Sequence, residues 1–212
     1  MLLPDDIRTP SPMRLWYAAA RALVKVSLRL CFHLRGEGTE RVPSGGLLLV
    51  SNHASYLDPL AVGSVVPREI YYLARRSLFR GPMAGLLTSV NTIPTAREHP
   101  EPAALRKILG LLTEGHGVLI FPEGTRCADG KLQSAEPGAG FLAAQAQVPI
   151  LPVRVFGSFE ALSRSSRFPR LAPIRVAVGS PYQPRQMRDG ETKKEYYRSL
   201  AEEMMRRIGE LR

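Results

Sequence analysis

Cysteine is scarce in this chain: only Cys31 and Cys127 occur in 212 residues. Two are too few for a disulfide framework, and neither stands in a Cys-x-x-Cys or Cys/His cluster. A stapled secreted domain and a zinc site are therefore not expected, and a reducing compartment fits best. Long apolar runs are missing as well: no stretch of 18 or more uncharged apolar residues exists, so a spanning helix is not expected. Acidic residues are outnumbered, 19 against 29 basic ones, for a net charge of +10. That balance favours anionic partners, whether nucleic acid, anionic lipid or phosphorylated substrates, although it serves solubility equally. Aromatic residues make up only 7%, with no basic–aromatic interleaving and no reading helix, so nucleic acid is not the expected partner. The opening twelve residues carry Asp5, Asp6 and three prolines in place of the basic start and apolar run of a signal peptide, which predicts a cytoplasmic location.

What is present is enough apolar material, 44%, for one domain with a core. Residues 14 to 34 read as a helix, stopped by Gly36 and Gly38. Arg14, Arg21, Lys25 and Arg29 recur at spacings that put them on one face, without acid partners, while Leu15, Trp16, Leu23, Val26, Leu30 and Phe32 cover much of the rest. A cationic stripe on an apolar helix suits the membrane interface, and equally a core helix whose basic side chains reach out to water. Residues 1–40 are therefore expected to form a membrane-associating helical arm, and 41–212 the main domain.

Beyond residue 46, apolar runs alternate with helical stretches. Strands are expected at 47–50, 69–73, 118–121, 150–156 and 174–178, with helices at 77–90, 102–114, 138–147 and 192–211. The alternation predicts an α/β domain with a mixed, largely buried sheet flanked by helices.

Two segments following strands carry reactive side chains, and in open α/β sheets ligands bind outside the carboxyl ends of strands. In Asn52-His53-Ala54-Ser55-Tyr56-Leu57-Asp58, His53 can accept a proton near neutral pH, and Asp58 can bend back to fix its tautomer. On that spacing alone, a histidine at a strand end is more often a cap or a surface residue. Ser55 lacks a Gly-x-Ser-x-Gly elbow and reads as a helix-start residue, not a nucleophile. In Phe121-Pro122-Glu123-Gly124-Thr125-Arg126, Gly124 permits close backbone approach and Arg126 can grip a phosphate bidentately. Glu123 can accept from a substrate hydroxyl or pair with Arg126.

Together these blocks resemble the glycerolipid acyltransferase family typified by 1-acylglycerol-3-phosphate acyltransferase (PlsC-type). Its Asn-His-x-x-x-x-Asp block is matched by Asn52, His53 and Asp58, and its Phe-Pro-Glu-Gly-Thr-Arg block by Phe121 to Arg126. Ile93-Pro94-Thr95-Ala96-Arg97 is similar to the second block, Val148 to Val153 to the fourth, and Ala74 to Phe79 to the linking segment. Glu136 and Pro137 stand where the family often has a basic residue, and Arg75 where it often has lysine, which leaves the acceptor head group open.

The resemblance implies acyl transfer from acyl-CoA or acyl carrier protein to a lysophospholipid hydroxyl, most simply 1-acylglycerol-3-phosphate. It implies a general base in His53, oriented by Asp58, and no acyl-enzyme. Arg97 and Arg126 would hold the acceptor phosphate, with Asn52, Glu123, Gly124 and Thr125 in the substrate site. No metal or cofactor is implied, because the thioester is already activated. The expected place is the cytoplasmic side of an anionic membrane, peripheral or monotopic. Another lysolipid or an aminolipid is the alternative acceptor, and a non-catalytic basic binding module the alternative class.

Overall fold

The computed structural model describes residues 12–95 and 102–212. In chain order the elements are α1 (Pro12–Phe32), β1 (Arg35–Glu37), β2 (Leu47–Ser51), α2 (Asp58–Val65), β3 (Ile70–Arg75), α3 (Pro82–Ser89), β4 (Thr92–Thr95) and α4 (Pro102–Thr113). They continue with β5 (Gly117–Ile120), α5 (Pro137–Ala146), β6 (Ile150–Phe156), α6 (Ser158–Leu162), β7 (Arg175–Val178) and α7 (Lys193–Glu210). The strands form one sheet in the order β1-β7-β6-β2-β5-β3-β4. All neighbouring pairs are parallel except β6 with β7. This is the mixed, helix-flanked sheet that the alternating pattern predicts.

Strand β2 shows why the sheet is buried on both sides. Every residue of Leu47–Ser51 is buried, so the strand reads as a continuous apolar run without alternation. Successive side chains still point to opposite faces. Leu47 and Leu49 join α1 and α2 in one core, while Leu48 and Val50 join α4, α5 and α7 in the other. Helix α7 is held at its start by a capping box between Thr192 and Glu195.

Three local expectations change. The stretch 77–90 is not one helix: a short 3₁₀ turn, Arg76–Leu78, precedes α3. Gly81 stands at φ 55 between them, and Pro82 fits a first turn, where its missing N–H is not needed. Strand β4 was not expected; it contains Pro94, and as the edge strand of the sheet it tolerates the lost donor. Strand β1 lies before the division expected near residue 40, yet it is hydrogen-bonded into the same sheet through β7.

The orientation of α1 is also corrected. The expected basic stripe does not face outward as a unit. Arg21 turns inward and donates to the carbonyl oxygens of Gly63 and Val66 at the end of α2. Tyr17, Leu28 and Phe32 are buried beside it. The outward surface is largely apolar, with Leu23 69% and Leu30 75% exposed and Leu15, Trp16 and Val26 also open, while Arg29 is exposed beside them and Lys25 is half-buried. The side chain of Arg14 lies outside the described residues.

Candidate active site

Strands β2 and β5 are adjacent and parallel, with Val50 opposite Ile120. Their carboxyl ends therefore deliver the 52–57 turn and the 121–136 loop to one place. The backbone stitches the two together: Cys127 N–H donates to His53 O at 2.8 Å, and His53 N–H donates to Glu123 Oε1 at 2.7 Å.

The spacing between His53 and Asp58 has a clear cause. Residues 54 to 57 are not helical; α2 begins at Asp58 itself, with Pro59 in its first turn. From that position the fully buried carboxylate points back across the turn. Its Oδ2 accepts from Ala54 N–H and Ser55 N–H, both at 2.7 Å, and lies 3.0 Å from His53 Nδ1. An oxygen that already accepts two amide donors faces the imidazole as an acceptor, so the proton sits on Nδ1 and Nε2 keeps its lone pair. The ring is fixed from its face too, stacked on Phe121 with centroids 3.9 Å apart and 17° between planes. Position and tautomer are thus both set before any substrate arrives.

Ser55, expected to start a helix, lies in the turn three residues before α2 begins. Its Oγ donates to Leu162 O at 2.7 Å and accepts from Leu57 N–H at 3.0 Å, and the residue is wholly buried.

Two residues expected in the substrate site spend their side chains on the protein. Asn52 donates to Val155 O at 3.0 Å and accepts from Val155 N–H at 2.8 Å, so its amide extends the β2–β6 ladder where the backbone turns away. Glu123 is neither paired with Arg126 nor open to a substrate hydroxyl. It is buried, with Oε1 on His53 N–H and Oε2 on Gln133 N–H at 3.1 Å. Burial pushes its carboxyl above the usual range and the nearby Asp58 charge adds to this, while the two backbone donors pull the other way. The position next to Arg126 in sequence suggested an ion pair; the reversal of direction at Gly124, φ 68, separates the two side chains.

Arg126 does face the site. Its guanidinium carbon lies 3.5 Å from the Tyr56 ring centroid, and its Nη1 is buried with no hydrogen-bond partner among the described residues. Tyr56 went unremarked in the sequence because it occupies a free position of its block. The available signal was an aromatic in one strand-end loop and an arginine in the other. Gly124 and Thr125 are exposed and line the same cavity. Arg97 lies outside the described residues, which resume at Pro102. Arg75, at the end of β3, is a further basic group on the cavity wall.

His53, Tyr56, Gly124, Thr125 and Arg126 share a cavity of about 980 Å³. Away from these residues its wall is largely aliphatic and aromatic. Ala20 and Val24 of α1 lie on one side, and Leu105, Ile108 and Leu142 of α4 and α5 on the other. The arrangement offers an imidazole held by a carboxylate, a cationic guanidinium, and a largely apolar cavity of about 980 Å³. No group of three or more His, Cys, Asp or Glu side chains suited to a metal occurs among the described residues.

Comparison with known proteins agrees with this arrangement. A family model described as Acyltransferase matches residues 33–156. The 1-acyl-sn-glycerol-3-phosphate acyltransferase of Bacillus subtilis (strain 168) is 26% identical over 161 residues, 74% of this chain and 78% of that protein. The human 1-acyl-sn-glycerol-3-phosphate acyltransferase alpha is 38% identical over 122 residues, 56% of this chain and 43% of that protein. The chloroplastic LPAT1 of Arabidopsis thaliana is 29% identical over 152 residues, 69% of this chain and 42% of that protein. This chain thus spans under half the length of the human and plant relatives. Among solved structures, the 1-acyl-sn-glycerophosphate (LPA) acyltransferase PlsC of Thermotoga maritima superposes with a TM-score of 0.75 at 20% identity, covering 93% of this chain and 81% of that one. At that identity the likeness speaks for the fold.

Proposed function

The chain belongs to the Acyltransferase family, and from that premise we propose that it moves a fatty acyl group from acyl-CoA or acyl carrier protein to the free hydroxyl of 1-acylglycerol-3-phosphate, giving phosphatidic acid. One observation carries the reading: His53, held from behind by Asp58, and Arg126 line one largely apolar cavity.

The acceptor hydroxyl gives its proton to His53 Nε2 as its oxygen attacks the thioester carbonyl. Asp58 stabilises the imidazolium that forms. The tetrahedral adduct collapses by breaking the carbon–sulfur bond, and the imidazolium returns the proton to the departing thiolate. The mechanism needs no acyl-enzyme, and Ser55, the hydroxyl two residues from His53, is buried and doubly hydrogen-bonded. Arg126, steadied by the Tyr56 face, takes the acceptor phosphate, and Arg97 and Arg75 supply further positive charge. No cofactor enters these steps.

The lipid acceptor also favours work at a membrane surface. Among the described residues no helix is long and apolar enough to cross a membrane. The exposed apolar face of α1 suits a helix lying in the interface on the cytoplasmic side.

A second acceptor class, another lysolipid or an aminolipid, is favoured by one feature. Glu136 lines the cavity, beside Gly124, and puts negative charge where a head-group phosphate would approach. A panel of lysolipid and aminolipid acceptors, each offered with an acyl-CoA and an acyl carrier protein donor and read by mass spectrometry, separates the two. Highest kcat/KM for 1-acylglycerol-3-phosphate, lost on Arg126→Ala through KM, is the expected result. A preference for an acceptor without a phosphomonoester overturns it.

A further inference from the structure

The segment 163–173, between α6 and β7, is not used by the reaction. Its sequence, Ser163 to Pro173, alternates arginines with apolar residues, and no acidic residue occurs between Glu160 and Asp189. Phe168 is 74% exposed and Leu171 78%, in a protein whose other large apolar side chains are mostly buried. Arg164, Arg167 and Arg170 flank them, all exposed and none in a salt bridge among the described residues.

The segment is held in shape. Ser163 Oγ lies 3.1 Å from Ser165 Oγ and 2.8 Å from Ser166 Oγ, and Arg170 N–H donates to Ala161 O at 2.7 Å. Isolated apolar side chains on a surface are ordinary, but two on an ordered loop ringed by three unpaired cations form an amphipathic tip.

Its place in the fold gives that tip a use. β6 runs parallel to β2, with Ser51 opposite Val153, so the chain leaves β6 at the end of the sheet where His53 stands. Leu162 O accepts from Ser55 Oγ, which ties the end of α6 to the catalytic turn. Ile174 N–H donates to Phe32 O at 2.8 Å, which ties the far end of the segment to the end of α1. The tip therefore stands at the catalytic end of the sheet and adjoins the helix with the exposed apolar face.

We propose that the 163–173 segment is a second membrane-docking element, in which Phe168 and Leu171 enter the interface of an anionic bilayer and Arg164, Arg167 and Arg170 bind its lipid phosphates. This rests on the reading of the site as one that takes a lipid acceptor. With α1 at one contact and this tip at another, the sheet end bearing His53 is held against the bilayer, and an acceptor enters without leaving the membrane. Cations near an anionic surface each raise binding about fivefold, and burying two apolar side chains adds to that.

Sedimentation with phosphatidylcholine vesicles, with and without phosphatidylglycerol, tests the proposal on the full chain. R164Q/R167Q/R170Q is expected to bind the anionic vesicles at least about tenfold more weakly and with less dependence on salt. F168S/L171S is expected to lose binding to vesicles of both kinds. Both variants should keep the parent's turnover on a short-chain acceptor dissolved as monomers and lose it on acceptor embedded in vesicles. Phe168→Trp in a Trp16→Phe background gives a signal independent of any loss, a blue-shifted emission on anionic vesicles. Unchanged binding in both loop variants together with unshifted emission overturns the proposal, as does an equal loss of turnover on the dissolved acceptor. If the parent acylates no lysolipid while the loop variants still lose vesicle binding, the docking element stands and the proposed reaction fails.

Discussion

The turn that carries His53 and the helix α1 lie over the same face of the sheet, and they dispose of their polar groups in opposite ways. The turn spends its polar atoms on itself. Asp58 Oδ2 holds two amides and an imidazole, Asn52 completes a strand ladder, and Glu123 binds the backbone of His53. Only one edge of the imidazole is left for chemistry. Helix α1 turns its one well-anchored cation inward, onto the end of α2, and leaves leucine, valine and tryptophan outside. A catalytic base needs a fixed tautomer and position, which buried hydrogen bonds supply. A surface that meets lipid needs neither; it needs apolar area with no backbone donors left unpaired, which a helix provides.

The sharpest way to break the turn is at its centre. His53→Ala removes the proposed base and leaves the scaffold, so kcat is expected to fall about 10²–10⁴-fold with an unchanged melting temperature. Asp58→Asn is expected to cost as much, up to about 10⁴-fold, through the wrong tautomer. It should lower the melting temperature as well, because a charged acceptor of two backbone N–H groups is lost. Steady-state kinetics beside thermal melts separate the two; equal melting losses in both variants would mean that His53 also holds the fold.

Glu123 tests whether the second loop belongs to the scaffold or to the substrate. Glu123→Ala leaves the His53 and Gln133 amides without acceptors and is expected to destabilise by about 1–3 kcal/mol. Its turnover should fall with donor and acceptor KM little changed. A rise in acceptor KM alone, at full stability, would restore the role in acceptor binding that the sequence suggested.

The comparison also explains what was readable in advance. The strand ends follow from the apolar runs, whereas the pairing of His53 with Asp58 and the facing of Arg126 to the site were expected from the two blocks together and their family resemblance, since the His/Asp spacing alone favours a cap or a surface residue. Inside a tight turn, few arrangements satisfy those groups. The partners of Asn52 and Glu123, Val155 and Gln133, were not readable because they are fixed by strand order and loop path, which local sequence does not contain. The inward turn of Arg21 on helix α1 was not readable for a related reason. Periodicity shows that cations and apolar residues occupy different faces, not which face another element covers. The free carbonyls at the end of α2 decided that, by drawing in Arg21.

Arg21 offers a milder perturbation of the same contrast. Arg21→Met keeps the packing against α2 and removes the donors to Gly63 O and Val66 O. Chemical denaturation is expected to show a loss of about 1–2 kcal/mol. If Arg21 were instead part of an outward membrane stripe, the substitution would weaken vesicle binding and leave stability unchanged.

The smallest effect on the isolated protein is expected on the other side of that helix. Leu23, Val26 and Leu30 are all more than half exposed, so replacing them by serine removes almost no buried contact. Each change should stay within about ±0.5 kcal/mol in denaturant melts, as surface substitutions do. At a bilayer the same three side chains would leave water, at up to about 1.5–3 kcal/mol for each one fully buried. The triple variant should therefore bind vesicles more than about tenfold more weakly at unchanged stability, including vesicles without anionic lipid, where the arginines contribute little. Salt separates this loss from the cationic one: binding lost through Leu23, Val26 and Leu30 should not be deepened by raising ionic strength. Full vesicle binding by the triple variant would mean that this face of α1 is covered by protein, and that the membrane contact rests on the 163–173 segment alone.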